Sequence, residues 1–132
     1  MLAASIASGQ TSPPVFVPGR FFTLAWTHSI EKVRWEEDYE VLATSPTAQN
    51  MLLAAVRARI KGSAAGMEPP KDSILKSGWY EYTPTTASSQ VLRLTRSEFT
   101  ADYELCLAAG CQPLSTWLPS DNGITLLAPC AR

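Results

Sequence analysis

At 132 residues the chain is long enough to build one domain with a core that needs no disulfide to fold. Its 11 basic and 12 acidic side chains nearly cancel, which leaves no basic excess for nucleic acid and no like-charge run for a tail. Charged residues at 17% beside ten prolines point to a loop-rich β protein, and no stretch nears the roughly 18 apolar residues of a membrane helix.

Residues 1–8 are small and apolar but short, and they lack a positively charged n-region. Residues 1–19 therefore read as an N-terminal linker or a signal-peptide remnant, and residues 20–132 as a single β domain. Phe22, Leu24, Trp26 and His28 alternate with Phe21, Thr23, Ala25 and Thr27, a period of two that predicts a strand. Val33, Trp35, Glu37, Tyr39 and Val41 alternate with Arg34, Glu36, Asp38 and Glu40. This is a second strand with one apolar and one charged face.

If residues 29–32 form the hairpin loop between them, His28 lies opposite Val33, Trp26 opposite Trp35, Leu24 opposite Glu37 and Phe22 opposite Tyr39. Opposed residues share a face, so every large apolar side chain falls on one side. Residues 51–61 are rich in Ala and Leu, which favours helix, yet they also alternate. Pairing them with the second strand sets Ala43 against Leu52, Val41 against Ala54, Tyr39 against Val56, Glu37 against Ala58 and Trp35 against Ile60. The other face then pairs Asp38 with Arg57 and Glu36 with Arg59, two favourable cross-strand contacts. The segment is predicted as a strand.

Further strands are expected at 75–82, 91–95, 101–107 and 124–128, with a short helical turn over 113–118. The fold class is all-β, an antiparallel sandwich or partly closed barrel built on an N-terminal meander. Trp79, Tyr80 and Tyr82 read as core or sheet surface rather than a cofactor box, and no cofactor is implied. Cys106 and Cys111 flank a plausible four-residue hairpin loop at 107–110, which would set them opposite each other at bridging distance. With Cys130 they are the disulfide candidates; three buried thiols are the alternative, and the choice follows the redox compartment.

The polar residues concentrate at one place. Residues 27–32 hold the only histidine, and Gly62 falls opposite Val33, so the Gly62-Ser63-Ala64-Ala65-Gly66 segment emerges at the same end of the sheet. Small residues there leave room for a ligand, and His28, Ser29, Glu31, Lys32, Ser63 and Gly66 are the candidate binding residues. A metal shared by His28 and Glu37 is disfavoured, because the register separates them by roughly 13 Å at about 3.4 Å per residue; no metal site is assigned. A hydrolase would pair Ser63 with His28 and orient the imidazole with Glu31, but no GxSxG elbow is present, and no residue is given a catalytic role. A pocket for a small organic anion asks less: charge from Lys32, donors from Ser63 and the backbone, a wall from Trp26 and Trp35. The plain alternative is that His28 and Glu31 only fix the turn, in a structural interaction module without a pocket. Glu37, an acid on an apolar face, is a buried polar group that needs a hydroxyl, an arginine or a wet cavity.

These same stretches, FFTLAWTHSIEKVRWEEDYEV, ARIKGSAAGMEPP and ELCLAAGCQPLSTWLP with ITLLAPC, resemble the domain of unknown function 1850 family over about residues 20–130. The strand with the His-Ser-x-Glu-Lys turn and the acidic pair Glu36-Glu37 carries most of the likeness, followed by Ser63, Ala65 and Gly66. Ala64 stands where a larger, often aromatic residue is expected. The resemblance implies a small exported or periplasmic bacterial protein, of a kind often encoded beside TAXI-type TRAP transporters. Its partner would be a component of such a transporter or its organic solute. It implies no catalytic residues, and it favours the disulfide.

Overall fold

The computed structural model describes residues 1–7, 13–27, 32–43, 51–61, 73–84 and 88–130. Among these, the strands are β1 (Leu2–Ile6), β2 (Val15–Val17), β3 (Phe21–Thr27), β4 (Arg34–Ala43), β5 (Met51–Lys61) and β6 (Ile74–Lys76). They are followed by β7 (Trp79–Tyr82), β8 (Leu92–Thr95), β9 (Glu104–Leu107), β10 (Gly110–Pro113) and β11 (Ile124–Pro129). A single 3₁₀ turn, Leu114–Thr116, lies where the helical turn was expected. The strands form two antiparallel sheets, one ordered β2-β1-β11-β8 and the other β10-β9-β3-β4-β5-β7-β6. The architecture is a sandwich, not a closed barrel.

The β3–β4 register is the one the alternation predicts, with Trp26 against Trp35, Leu24 against Glu37 and Phe22 against Tyr39. The β4–β5 register matches from Trp35–Ile60 through Asp38–Arg57 and then shifts. Beyond it Tyr39 faces Ala55, Val41 faces Leu53 and Ala43 faces Met51, not Val56, Ala54 and Leu52. Val56 is the extra residue of a β-bulge and stands exposed. The slip costs little because Leu52-Leu53-Ala54-Ala55 offers the same side chains in either register. It also delivers Leu53, 1% exposed, to the core.

Three other expectations change. Residues 1–19, expected as a linker or leader remnant, supply β1 and β2; β1 pairs with β11 along its length, and Leu2 and Ala4 are buried. Alternation is hard to read there, since β1 and β2 are only five and three residues long. The expected strand at 75–82 is a hairpin, broken at Ser77 and Gly78, both at positive φ (53° and 86°). That geometry suits a two-residue turn matching the twist of its strands. The loop between the cysteines is also tighter than expected, because Leu107 pairs with Gly110. Gly110 sits at φ 129°, where a side chain would be strained.

The core lies between the sheets. Leu2, Ala4, Val17, Leu94 and Leu127 meet Phe22, Leu24, Val41, Leu53 and Leu105, and Leu114 and Leu118 close one side. A buried polar pin crosses this layer. Arg96, 3% exposed, holds Asp102 through Nε and Nη2 at 3.0 Å each. Its Nη1 donates to the Leu118 carbonyl (2.8 Å) and the Thr125 hydroxyl (3.2 Å). Asp102 also accepts the backbone N–H groups of Tyr103 and Ser115.

Removing one partner of a buried, hydrogen-bonded pair costs about 3–5 kcal/mol, and the partial exposure of Asp102 favours the lower end. Arg96→Ala is expected to lose about 3 kcal/mol in urea unfolding, whereas the exposed Arg57→Ala should stay within about 0.5 kcal/mol of wild type. Equal losses for the two variants would show that the pin contributes nothing.

Candidate functional site: the cleft between the sheets

Side chains alternate along β4, so its two faces carry opposite chemistry. The outer face is a continuous ion-pair chain. Arg34 donates from Nη1 to Glu104 (2.8 Å) and from Nε to Glu36 (2.7 Å). Arg59 donates from Nε to Glu36 (2.7 Å) and from Nη1 and Nη2 to Asp38 (2.9 and 3.1 Å). The Thr23 hydroxyl completes the chain with a 2.6 Å bond to Asp38. Asp38 thus pairs through Arg59, not through the directly opposed Arg57. Burial pushes the Asp38 carboxyl up, but the Arg59 and Thr23 hydrogen bonds together outweigh it and hold the carboxyl below its ordinary value.

The inner face carries Glu37. It sits at the middle of a row of directly opposed residues running Leu105, Leu24, Glu37, Ala58 and Tyr82 across five strands. The partner it needs is supplied locally, because Tyr39 lies on the same face one step along β4 and donates its hydroxyl to Glu37 Oε1 at 2.7 Å. Burial pushes the Tyr39 phenol well above its ordinary value, and the adjoining Glu37 carboxylate adds to the shift. Tyr82 is raised in the same direction, first by burial and then by the charge of Glu37. Tyr103 is raised by burial and by Asp102.

Glu37 and Tyr39 face a cavity of about 290 Å³ between the sheets, walled by Leu24, Trp26, Tyr103 and by Leu92 and Leu94 of β8. Trp26 and Tyr103 also wall a second hollow of about 350 Å³ toward the end of β3, with Thr27, Thr95, Ser97 and Thr100. The two hollows share that aromatic pair, whose rings lie 6.3 Å apart and tilted; Trp35 stacks behind Trp26 at 6.0 Å. The arrangement is a cleft with a hydroxyl-rich outer part, an aromatic waist and an acid within. It suits the retention of a small polar solute.

Of the residues predicted to bind, His28, Ser29, Glu31, Ser63 and Gly66 lie outside the described residues. Lys32 is exposed at φ 58°. Thr27 pairs with Arg34, and Ile60 with Trp35, so the last residues of β3 and β5 and the first of β4 lie at the same end of the sheet. The hydrolase pair His28 and Ser63 falls outside the described residues as well. Trp26, expected with Trp35 to wall a pocket beside Lys32 and Ser63, lines the hollow at Glu37, and Trp35 stacks behind it. Tyr39 and Tyr103 were not foreseen as its partners, although an acid interrupting an apolar alternation already marked the place. Trp79, Tyr80 and Tyr82 are half-buried in the sheet, with Lys61 Nζ over the Trp79 ring at 5.0 Å.

Cys106 and Cys111 are directly opposed and form a disulfide, with Arg34 Nη2 4.0 Å from each sulfur. Cys130 is a free, half-buried thiol. Among the described residues no helix is long and apolar enough to cross a membrane.

In comparisons with known proteins, one family model, described as a domain of unknown function (DUF1850), matches residues 22–114. That span includes the meander, the cleft acid and the disulfide, and stops short of the C-terminal strand that the resemblance extended to. Neither a curated protein nor a solved structure matches the chain.

The raised phenols carry a pH consequence. A tyrosine whose folded pKa exceeds its unfolded value contributes stability that is fully present below about pH 10 and is lost as pH rises above it. Denaturation midpoints are therefore expected to hold from pH 7 to about 9.5 and to fall above about pH 10, with a shallower alkaline fall in Tyr39→Phe. An identical alkaline limb in that variant would remove Tyr39 from the account.

Proposed function

The chain belongs to the DUF1850 family, and on that premise we propose that it is an exported, periplasmic accessory domain that holds a small solute between its two sheets and serves a TRAP-type solute transporter. One observation carries the binding part of this reading: the two hollows that share Trp26 and Tyr103, one lined by hydroxyls and the other holding Glu37. Export is supported by the Cys106–Cys111 disulfide, because such bonds persist in oxidising compartments. The transporter partner rests on the family resemblance alone. A reading as a pure interaction module has one observation of its own, the edge strand β6, where Ile74 and Leu75 are exposed; open edges invite strand addition.

Solute binding is read by tryptophan fluorescence, because Trp26 walls both hollows. A solute panel of carboxylates, polyols and amines is expected to contain members that shift the emission of the wild type but not of Trp26→Phe, with matching thermal stabilisation. If no member moves either signal while β6 captures a partner of the transporter, the interaction-module reading replaces this one. Compartment is tested by thiol counting on protein from its native host. One maleimide adduct before reduction and three after are expected in the periplasmic fraction; three adducts without reduction, in the cytosolic fraction, would overturn export.

A further inference from the structure

We infer that the solute held in this cleft carries an organic cation, an alkylammonium head that enters the cavity over Glu37. The inference rests on the inter-sheet cleft being the binding site and adds the charge and class of what binds there.

The argument starts from what the cavity presents. Its one described acid, Glu37, shares the walls with three aromatic side chains, Trp26, Tyr39 and Tyr103, and with Leu24, Leu92 and Leu94. Aromatic faces are the negative part of the ring quadrupole, so carboxylate and rings act in the same direction and attract a cation. The leucines keep the surroundings apolar, which strengthens that attraction over what water allows. An anion entering the same space would meet a like charge with the same lack of screening.

No described side chain already supplies the countercharge. Arg93 adjoins the cavity, but it lies between Leu92 and the buried Leu94 on β8 and is itself exposed. Alternation sends its side chain to the opposite face, and no ion pair joins it to Glu37 among the described residues. Tyr39 donates one hydrogen bond to Glu37 Oε1, which orients the carboxylate without neutralising it.

Size limits the ligand further. About 290 Å³ lies just below the roughly 300–1,000 Å³ usual for ligand pockets, so the inner cavity suits the ammonium head alone. Any polar remainder would lie in the outer hollow, among Thr27, Thr95, Ser97 and Thr100. The organic anion anticipated from Lys32 does not fit the inner cavity; Lys32 lies exposed at the end of the sheet.

The test compares choline with its uncharged isostere 3,3-dimethyl-1-butanol, and with succinate, on the full chain, reading Trp26 fluorescence and thermal shift. Choline is expected to bind at least roughly tenfold more tightly than the isostere, the margin a desolvated cation–π contact gives; succinate should leave both signals unchanged. Glu37→Gln, whose amide oxygen still accepts from Tyr39, should erase that preference. Equal affinity for choline and the isostere, or binding of succinate through Trp26, overturns the cation assignment while leaving the cleft as a binding site. Failure of choline, the isostere and succinate alike overturns the cation assignment, and the wider solute panel then judges the cleft separately. If Glu37→Gln does not fold, discrimination between choline and the isostere by the wild type decides.

Discussion

Glu36 is the residue on which the rest of the structure turns. It takes Arg34 on one carboxylate oxygen and Arg59 on the other, which ties β4 internally and binds it to β5 in one register. A slip of a single residue would transfer every side chain of β4 to the wrong face. It would also break the chain from Glu104 to Thr23. Surface ion pairs taken singly are worth little, but linked pairs share the entropy cost of fixing each arginine. Here both arginines are less than one-third exposed, so solvent screens them only in part. The consequence falls on the next residue: with Glu36 held outside, Glu37 must point between the sheets.

That obligation explains the local sequence. A carboxylate on a core face is costly unless something donates to it, and the nearest same-face position holds Tyr39. Its hydroxyl reaches Glu37 while its ring stacks on Phe22 at 5.2 Å, so one side chain serves the acid and the core together. Across β5 the opposed position is Ala58, 1% exposed, which adds no bulk beside the carboxylate. The cleft is thus a product of the strand register and of the small residue placed beside the acid.

How much of this can be read from the chain depends on whether its alternation is distinctive. In β4 the faces are apolar against charged, and in β3 large apolar residues face mostly small or hydroxyl ones, so pairing, burial and the Glu36–Arg59 contact follow from the residues. In β5 the run Leu52-Leu53-Ala54-Ala55 is nearly unchanged by a one-residue slip, so periodicity cannot locate the bulge at Val56. Only the third dimension decides there, since the extra residue lets Leu53 reach the core while Arg57 stays opposite Asp38. The strand β1 escapes detection for a different reason, because its five residues, Leu2–Ile6, are too few for the alternation to stand out. The hairpin at Ser77-Gly78 is different, for that dipeptide is a turn signal in its own right. The opposition of Cys106 and Cys111 was legible from spacing, because six consecutive residues around a tight turn leave little geometric freedom, whereas their oxidation was left to the redox compartment.

The candidate site shows the same division. Sequence clustering drew attention to residues 27–32, where polar side chains are adjacent along the chain. The described cleft draws instead on β3, β4, β8 and the segment before β9, whose members are dispersed in sequence. Trp26 and Tyr103 come within 6.3 Å through the pairing of β3 with β9, and Leu92 and Leu94 arrive from the other sheet. What the chain did disclose was a single irregularity, an acid in an otherwise apolar alternation. Such an irregularity persists at a cost to stability, and the cost is offset only when something occupies the place. Tyr39 offsets part of it in the unliganded protein. A ligand of opposite charge would offset the rest, which couples binding to stability through this one carboxylate. The outer face of β4 and its inner face then divide two tasks between neighbouring residues, Glu36 fixing the register and Glu37 using it.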